Sequence, residues 1–247
     1  MITGSKQFII DMHSHLIPCV DDGSRSIEES LKAMKTAEEQ GISEIILTSH
    51  NVDKARIEEY TDLSVLKSRY EDIRKAAVDN GINIRLHLGQ ECLYHSNLVK
   101  MLDDGSALTM AGSRYVLVEF LQDISYRELL ENLTRIRDGG YIPVLAHYER
   151  YDCLTKKGAV RGLKDEMFLI QMNFDTVQRE YGLLKRNPFQ KDLLNGYVDF
   201  MGSDCHGVEY RKYFIVPSVK WMKEKLPEAY FRKLLIDNPR KILEKTY

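Results

Sequence analysis

Two imidazoles, His13 and His15, stand one residue apart in the run Ile10-Asp11-Met12-His13-Ser14-His15. Side chains alternate in direction along an extended strand, so both rings leave the same face, an arrangement suited to a divalent cation. Asp204-Cys205-His206 repeats the spacing with a carboxylate and an imidazole, and alternation turns the Cys205 thiol away from them into the core. Other apolar runs also finish in metal-type side chains. His50 follows Ile45-Ile46-Leu47-Thr48-Ser49, Glu91 follows Leu88-Gly89-Gln90, Glu119 lies within Val116 to Phe120, and His147 follows Ala146. Glu119 is costly in an apolar strand unless it is paired or bound to a cation. One histidine at a strand end is commonly a hydrogen-bonded structural residue, but the joint pattern points to multinuclear metal binding. Mixed imidazole and carboxylate donors suit manganese, iron or zinc, and no four-cysteine zinc pattern is present. His87, mid-strand, and His95, in a loop, read as structural, and Asp11 and Asp21 as structural or supporting groups.

The elements that must position these groups alternate along the chain. Apolar runs at 8–10, 45–47, 84–88, 115–120, 142–146, 168–172 and 198–201 read as buried parallel strands, which need not alternate in polarity. Between them lie helical segments. Ser26-Ile27-Glu28-Glu29 and Ser125-Tyr126-Arg127-Glu128 fit capping boxes, opening helices to about Gln40 and Asp138 that stop at Gly41 and at Gly139-Gly140. Residues 55–80 read as one long helix, 158–166 as a short one, and 180–195 as a helix that Pro188 should break or kink. Helices near 217–226 and 227–236 precede a last turn that Pro239 opens at its first position. Strand and helix alternating over the whole length imply a parallel α/β fold, either a barrel or an open doubly wound sheet. A barrel would bring the strand ends, and the groups they carry, to one mouth.

The 247 residues carry 35 basic and 37 acidic side chains, a net charge of −2, with 43% hydrophobic and 29% charged residues. This is the balance of a soluble globular protein, and no Ser/Gly/Pro-rich linker divides residues 1–247, so one domain is expected. No apolar run approaches the roughly 18 residues of a membrane span, and no secretory leader opens the sequence. Four cysteines in a chain this long form no disulfide framework, which suits a cytoplasmic protein. The near-neutral charge argues against a nucleic-acid partner. No feature of the sequence sets an oligomeric state.

The stretches IIDMHSHLIPCVDDGSRS, ILTSH, LGQECLY, SRYVLVEF, PVLAHYERYD, GSDCH and IDNPRKIL, in this order over almost the whole chain, resemble the polymerase and histidinol phosphatase (PHP) superfamily. Within it the likeness is closest to the bacterial manganese-dependent tyrosine phosphatases of capsule and exopolysaccharide clusters, the CpsB/YwqE type. The resemblance implies a distorted (β/α)7 TIM-like barrel with three divalent metal ions, manganese first among them, at the C-terminal ends of the strands. One ion would take His13, His15, Glu91 and Asp204. A second would take Glu119 and His147, bridged by Glu91. A third would take Asp22, His50 and His206. Arg150 and Arg211 match phosphate-binding positions. The segment Asn51-Val52-Asp53 is less basic than the family pattern, which bears on substrate preference and not on metal binding. The implied partner is a phosphotyrosine protein, a membrane-associated bacterial tyrosine kinase.

The expected reaction is in-line hydrolysis of a phosphomonoester by a metal-bound hydroxide, with Asp204 among the catalytic ligands and the two arginines neutralising developing charge. The same metals would also serve a histidinol-phosphate phosphatase or a nuclease, and a non-enzymatic scaffold is a further alternative. Cys19 to Arg25 has the C-x5-R spacing of cysteine-dependent phosphatases, but Asp21 and Asp22 inside that loop would repel a phosphate dianion and raise the thiol pKa.

Overall fold

A computed structural model describes residues 8–53, 56–180 and 187–245. The chain runs β1 (Ile9–Ser14), α1 (Ile27–Glu39), β2 (Ile42–Leu47), β3 (Val52–Asp53), β4 (Arg56–Tyr60), α2 (Leu63–Asp79), β5 (Arg85–Leu88), β6 (Glu91–Leu93) and α3 (Leu98–Asp104). It continues with β7 (Tyr115–Glu119), α4 (Tyr126–Asp138), β8 (Ile142–Leu145), α5 (Ala159–Asp165), β9 (Leu169–Asn173), α6 (Pro188–Leu194), β10 (Phe200–Gly202), α7 (Val216–Lys225), α8 (Glu228–Arg232) and α9 (Asn238–Glu244). The parallel α/β expectation therefore holds.

A closed barrel does not. The parallel strands form two separate sheets, β1-β2-β5 and β10-β9-β8-β7-β6, and no closed sheet forms among the described residues. The reason lies in two seams. At one, the chain leaves β5, passes Gly89-Gln90 and re-enters as β6, so consecutive segments of a single run serve different sheets. The isolated bridge His50↔Glu91 reaches across there, and Leu93 N donates to Asn51 Oδ1 at 2.8 Å beside it. At the other, β10 is too short to pair with β1 along its length. The contact is made just beyond it by Asp204 N–H to His13 O (2.8 Å) and His15 N–H to Cys205 O (2.8 Å). Asp11 reinforces this seam. It is fully buried and accepts from Ser203 N (2.8 Å), Ser203 Oγ (2.6 Å) and Tyr213 Oη (2.7 Å).

Local chemistry explains the helices. In α4, Ser125 Oγ accepts from Glu128 N and the Glu128 carboxylate accepts from Ser125 N, a complete capping box, and Leu129, Leu133 and Ile136 face the core at helical spacing. In α1 the box is displaced: Ser26 caps Glu29 N, but the Glu29 carboxylate takes Arg25 N at 2.8 Å. Residues 55–80 are not one helix. Arg56–Tyr60 pairs antiparallel with β3, and Asp62 caps a helix that starts only at Leu63. Of the helix expected over 180–195, residues 181–186 lie outside the described ones. Pro188 opens α6 instead of breaking it, because its missing N–H costs nothing in the first turn and Asn187 supplies the cap.

Most of the core packs helices against sheets, but a smaller cluster draws side chains from both sheets: Met12, Ile46, Leu117, Val144 and Phe200, closed by Ile242 of α9. This apolar floor fixes the direction of a polar group at a strand end. Glu119 comes two residues after Leu117 in the same strand, so its side chain leaves on the side of the floor. In β1 the register shifts between Asp11 and Ser14.

Replacing Asp11 with alanine strands the buried Tyr213 hydroxyl and takes from Ser203 N and Oγ their acceptor at the seam. We expect a loss of at least about 2 kcal/mol, read as a lower urea midpoint at unchanged m-value.

Candidate metal centre

Nine side chains from seven strand ends and loops meet here. His13 and His15 come from the end of β1, Asp22 from the following loop, His50 from beyond β2, Glu91 from the start of β6 and Glu119 from the end of β7. His147 follows β8, and Asp204 and His206 follow β10. Eight of them offer ligand atoms in three groups, each within 4.8 Å: His13, His15 and Asp204; His50, Glu91 and Glu119; and His15, Asp22, His50 and His206. All nine expected ligands are thus brought together. His15 and His50 are each shared between groups. His147 sits 2.7 Å from Glu91 and 3.6 Å from Glu119.

Glu91 is the hub, 1% exposed. Its Oε2 lies 3.3 Å from His13 Nε2, 3.3 Å from His15 Nε2 and 3.1 Å from His50 Nδ1. That oxygen and both ring nitrogens of His50 are buried, yet have no hydrogen-bond partner. Lone pairs converging at ion-pair distance without hydrogen-bond alignment fit a cation between them. Eight of the nine side chains are buried. Asp22 alone stands at the rim, its side chain 57% exposed and its Oδ1 3.3 Å from His50 Nε2 and 3.4 Å from His206 Nε2.

Outer partners hold most of the rings in place. Asp21 Oδ2 takes His15 Nδ1 at 2.9 Å and accepts from His50 N at 3.0 Å. His206 Nδ1 faces the Asp204 carbonyl at 2.8 Å, and His13 Nδ1 faces Gln171 Oε1 at 3.0 Å. In His13, His15 and His206 this leaves Nε2 directed at the centre. The backbone is also forced: His147 (φ 30°), Asp204 (φ 50°) and Arg211 (φ 47°) all lie in the left-handed region, a cost met only where surroundings dictate it.

Sequence reasoning missed the contribution of β9. Gln171 Oε1 also accepts from His147 N (2.9 Å), its Nε2 donates to Asn173 Oδ1 (2.8 Å), and Asn173 Nδ2 donates to Asp204 Oδ2 (3.0 Å). One amide relay therefore orients three candidate ligands. Its signal was present: two buried amides, period two, on an apolar strand. Gly202 allows the approach, since a Cβ there would lie 2.7 Å from His13 Cβ and 2.9 Å from Gln171 Nε2. His87 and His95 stay outside the cluster, as expected; they bond Glu44 (2.9 Å) and Asn97 N (3.2 Å). Cys205 is fully buried core.

Arg150 and Arg211 both turn onto Asp204. Arg150 forms an ion pair with Asp204 Oδ2, and Arg211 NH1 lies 3.5 Å from the same oxygen and 3.0 Å from His206 Nε2. Without a metal, protons and guanidiniums carry the balancing charge. Burial and the neighbouring His50 lower the His15 pKa, but Asp21 and Glu91 outweigh them and lift it to about 9. For His147, Glu91 and Glu119 outweigh burial and lift it to about 9. Against burial and Glu91, both of which raise it, His147 and His50 hold Glu119 at about 2. Against burial, His13, Arg150 and His15 hold Asp204 far below the usual carboxylate range.

Fold and site together define the class, an α/β protein with an imidazole–carboxylate centre at the ends of its parallel strands. Residues 9–244 match the family model for capsular polysaccharide synthesis, CpsB/CapC, and the chain belongs to that family. It is 30% identical over 241 residues to the tyrosine-protein phosphatase CpsB of Streptococcus pneumoniae, covering 95% of this chain and 98% of the relative. It is 24% identical over 206 residues to the tyrosine-protein phosphatase YwqE of Bacillus subtilis, covering 83% and 80%. A solved structure of the YwqE (Bacillus subtilis) and CpsB (Streptococcus pneumoniae) metal-dependent tyrosine phosphatases superposes with a TM-score of 0.85 at 23% identity, covering 97% and 96%. The phosphotriesterase of Mycobacterium tuberculosis shares the fold more distantly, with a TM-score of 0.61 at 12% identity over 98% and 96%.

Two outcomes are expected of this site. Replacing Gln171 with leucine removes the acceptor of His13 Nδ1, and metal affinity should fall about 10- to 100-fold, measured by competition with a fluorescent chelator. Because His15 and His147 are protonated below about 9, metal loading at pH 7 should release protons, and affinity should rise with pH until that range is passed. Calorimetry in buffers of different ionisation heat reads this directly.

Proposed function

We propose that the chain is a metal-dependent protein-tyrosine phosphatase that hydrolyses phosphotyrosine in a protein substrate. The observation that carries this is the convergence of five imidazoles, four carboxylates and two guanidiniums at one set of strand ends, in a family whose relatives are named tyrosine-protein phosphatases. His13, His15, Glu91 and Asp204 would hold one ion, Glu119 and His147 a second with Glu91 shared between the two, and Asp22, His50 and His206 a third. Manganese is the assigned metal, and iron or zinc match the same donors. When bound, such ions supply Lewis acidity toward a phosphoryl oxygen and lower the pKa of water to about 7. Seven parallel runs, counting β5 and β6 as one, support reading the fold as a seven-stranded barrel interrupted at its two seams.

The protein's own groups do the rest. Arg150 and Arg211 stand beside Asp204, and their planar donors would bind phosphoryl oxygens and neutralise charge as it develops. Arg150 is 23% and Arg211 31% exposed, so both reach the mouth. The departing phenolate has a parent pKa near about 10 and needs no strong acid. Cys19 is no rival nucleophile: its thiol faces the Arg25 carbonyl at 2.9 Å, and Asp21 and Asp22 of the same loop repel a phosphate dianion. In the basic stretch 156–164, Arg161 pairs with Asp165 (3.8 Å) and Lys164 with Asp199, which fits a solvated helix face. No helix among the described residues is long and apolar enough to cross a membrane. The substrate we assign is a membrane-associated bacterial tyrosine kinase of the polysaccharide machinery, met in the cytoplasm, where the four free cysteines stay reduced.

The manganese-loaded protein should release phosphate from a phosphotyrosyl peptide far faster than from a phosphoseryl peptide or histidinol phosphate. Exhaustive chelation should abolish turnover, and Glu119→Gln should lower kcat at least about 100-fold, whereas Cys19→Ser should stay within about twofold of wild type. Turnover that survives chelation, or that Cys19→Ser abolishes with metal still bound, overturns the proposal.

A further inference from the structure

The metal centre opens on one side into a cavity of about 190 Å3. Leu93, Phe120, Leu121 and Tyr151 form its apolar walls, and Glu119, Gln122, His147 and Arg150 its polar lining. The walls are preformed. Tyr151 is 1% exposed, and its hydroxyl accepts from Phe120 N at 3.0 Å. The Phe120 ring stacks on Tyr94 with centroids 5.2 Å apart and meets Tyr151 edge-on at 6.4 Å. Leu121, at the rim, is 61% exposed, an apolar side chain left in water beside a highly charged site.

Size and polarity select the occupant. A cavity of about 150 Å3 with aliphatic and aromatic walls holds one benzene molecule, so this one accepts a single six-membered aromatic ring. On the far side of the centre, beyond Asp22 and His206, a second cavity of about 360 Å3 is lined by Arg25, Glu28, Glu29 and Lys32. Its walls are mostly charged or polar, with Val208 and Tyr210 the apolar exceptions. A phosphoryl group seated between the metal ligands and Arg150 can therefore direct its ester oxygen either into an apolar slot or toward a charged cleft.

We propose that the slot formed by Leu93, Phe120, Leu121 and Tyr151 is the seat for the aryl group of the substrate and sets the preference for aryl over alkyl phosphomonoesters. The proposal rests on the phosphatase reading above and deepens it. A phenol ring fills the slot and covers Leu121. The short alkyl stem of phosphoserine leaves it largely unfilled and forfeits that contact. The rigidity of the walls means that the ring enters a site already shaped for it, so the contact costs little ordering.

The test separates the slot from the chemistry. The manganese-loaded protein is titrated calorimetrically with phenylphosphonate and with methylphosphonate, neither of which is hydrolysed. Phenylphosphonate should bind at least about tenfold more tightly. A Leu93→Ala/Leu121→Ala variant, checked for wild-type metal content and melting temperature, should lose most of that preference. Leu93→Trp, which fills the slot, should lose it as well. Equal affinities in wild type, or a preference that survives in both variants, overturns the proposal. Hydrolysis is measured separately with phenyl and ethyl phosphate, where the kcat/KM ratio should fall about tenfold in the variants. A protein that prefers phenylphosphonate but hydrolyses no phosphomonoester would keep the slot and refute the phosphatase reading. Hydrolysis of both esters without a binding preference would do the reverse.

Discussion

Everything at the centre depends on the cost of burying Glu91. A carboxylate 1% exposed must be surrounded by compensating charge, and four imidazoles approach it within 3.3 Å. Imidazolium can supply that charge, but only with protons held well above their ordinary affinity. A divalent cation supplies it without protons. The unpartnered nitrogens of His50 and oxygen of Glu91 are the places where the proton solution fails geometrically. Arg150 and Arg211 belong to the same balance. Arg150 pairs with Asp204 and Arg211 lies 3.5 Å from the same oxygen, so the guanidiniums and the buried carboxylates form one electrostatic problem.

The fold is shaped to meet that demand. A fully closed ladder would hold its strand ends in regular register. Here the two seams, at β5–β6 and at β10–β1, free the backbone at the points where ligands must be aimed. Asp204 and His147 leave their strands in left-handed conformations, and Asp11 ties the looser seam from within. The amides of Gln171 and Asn173 then span the distance between β1, β8 and the segment after β10. Rigid orientation of buried ligands comes from these neutral groups, which add no charge to a centre already crowded with it.

Much of the fold and site is legible in the sequence because it depends on local periodicity. His13-x-His15 and Asp204-x-His206 show their common face in the spacing alone. Ser125 and Glu128 announce a helix start, and the parallel α/β class comes from the alternation of runs. Legibility fails where a distant partner decides. Residues 56–60 have the polarity of a helix, but pairing with β3 makes them a strand. Pro188 reads as a breaker until Asn187 is seen to cap behind it. Gln171 and Asn173 look like ordinary polar residues until His13 and Asp204, distant in sequence, are placed beside them.

The sequence by itself determined which residue types reach the strand ends, the parallel class of the fold and the family, because each is written in composition, spacing and order. Only the tertiary structure decided how the ligands group, that both arginines rest on Asp204, that the sheet stays open at two seams, and that an apolar slot adjoins one side of the centre while a charged cleft adjoins the other. Those outcomes depend on distances between residues far apart in the chain. Such distances are set by packing and by the compensation of buried charge, which no local pattern encodes.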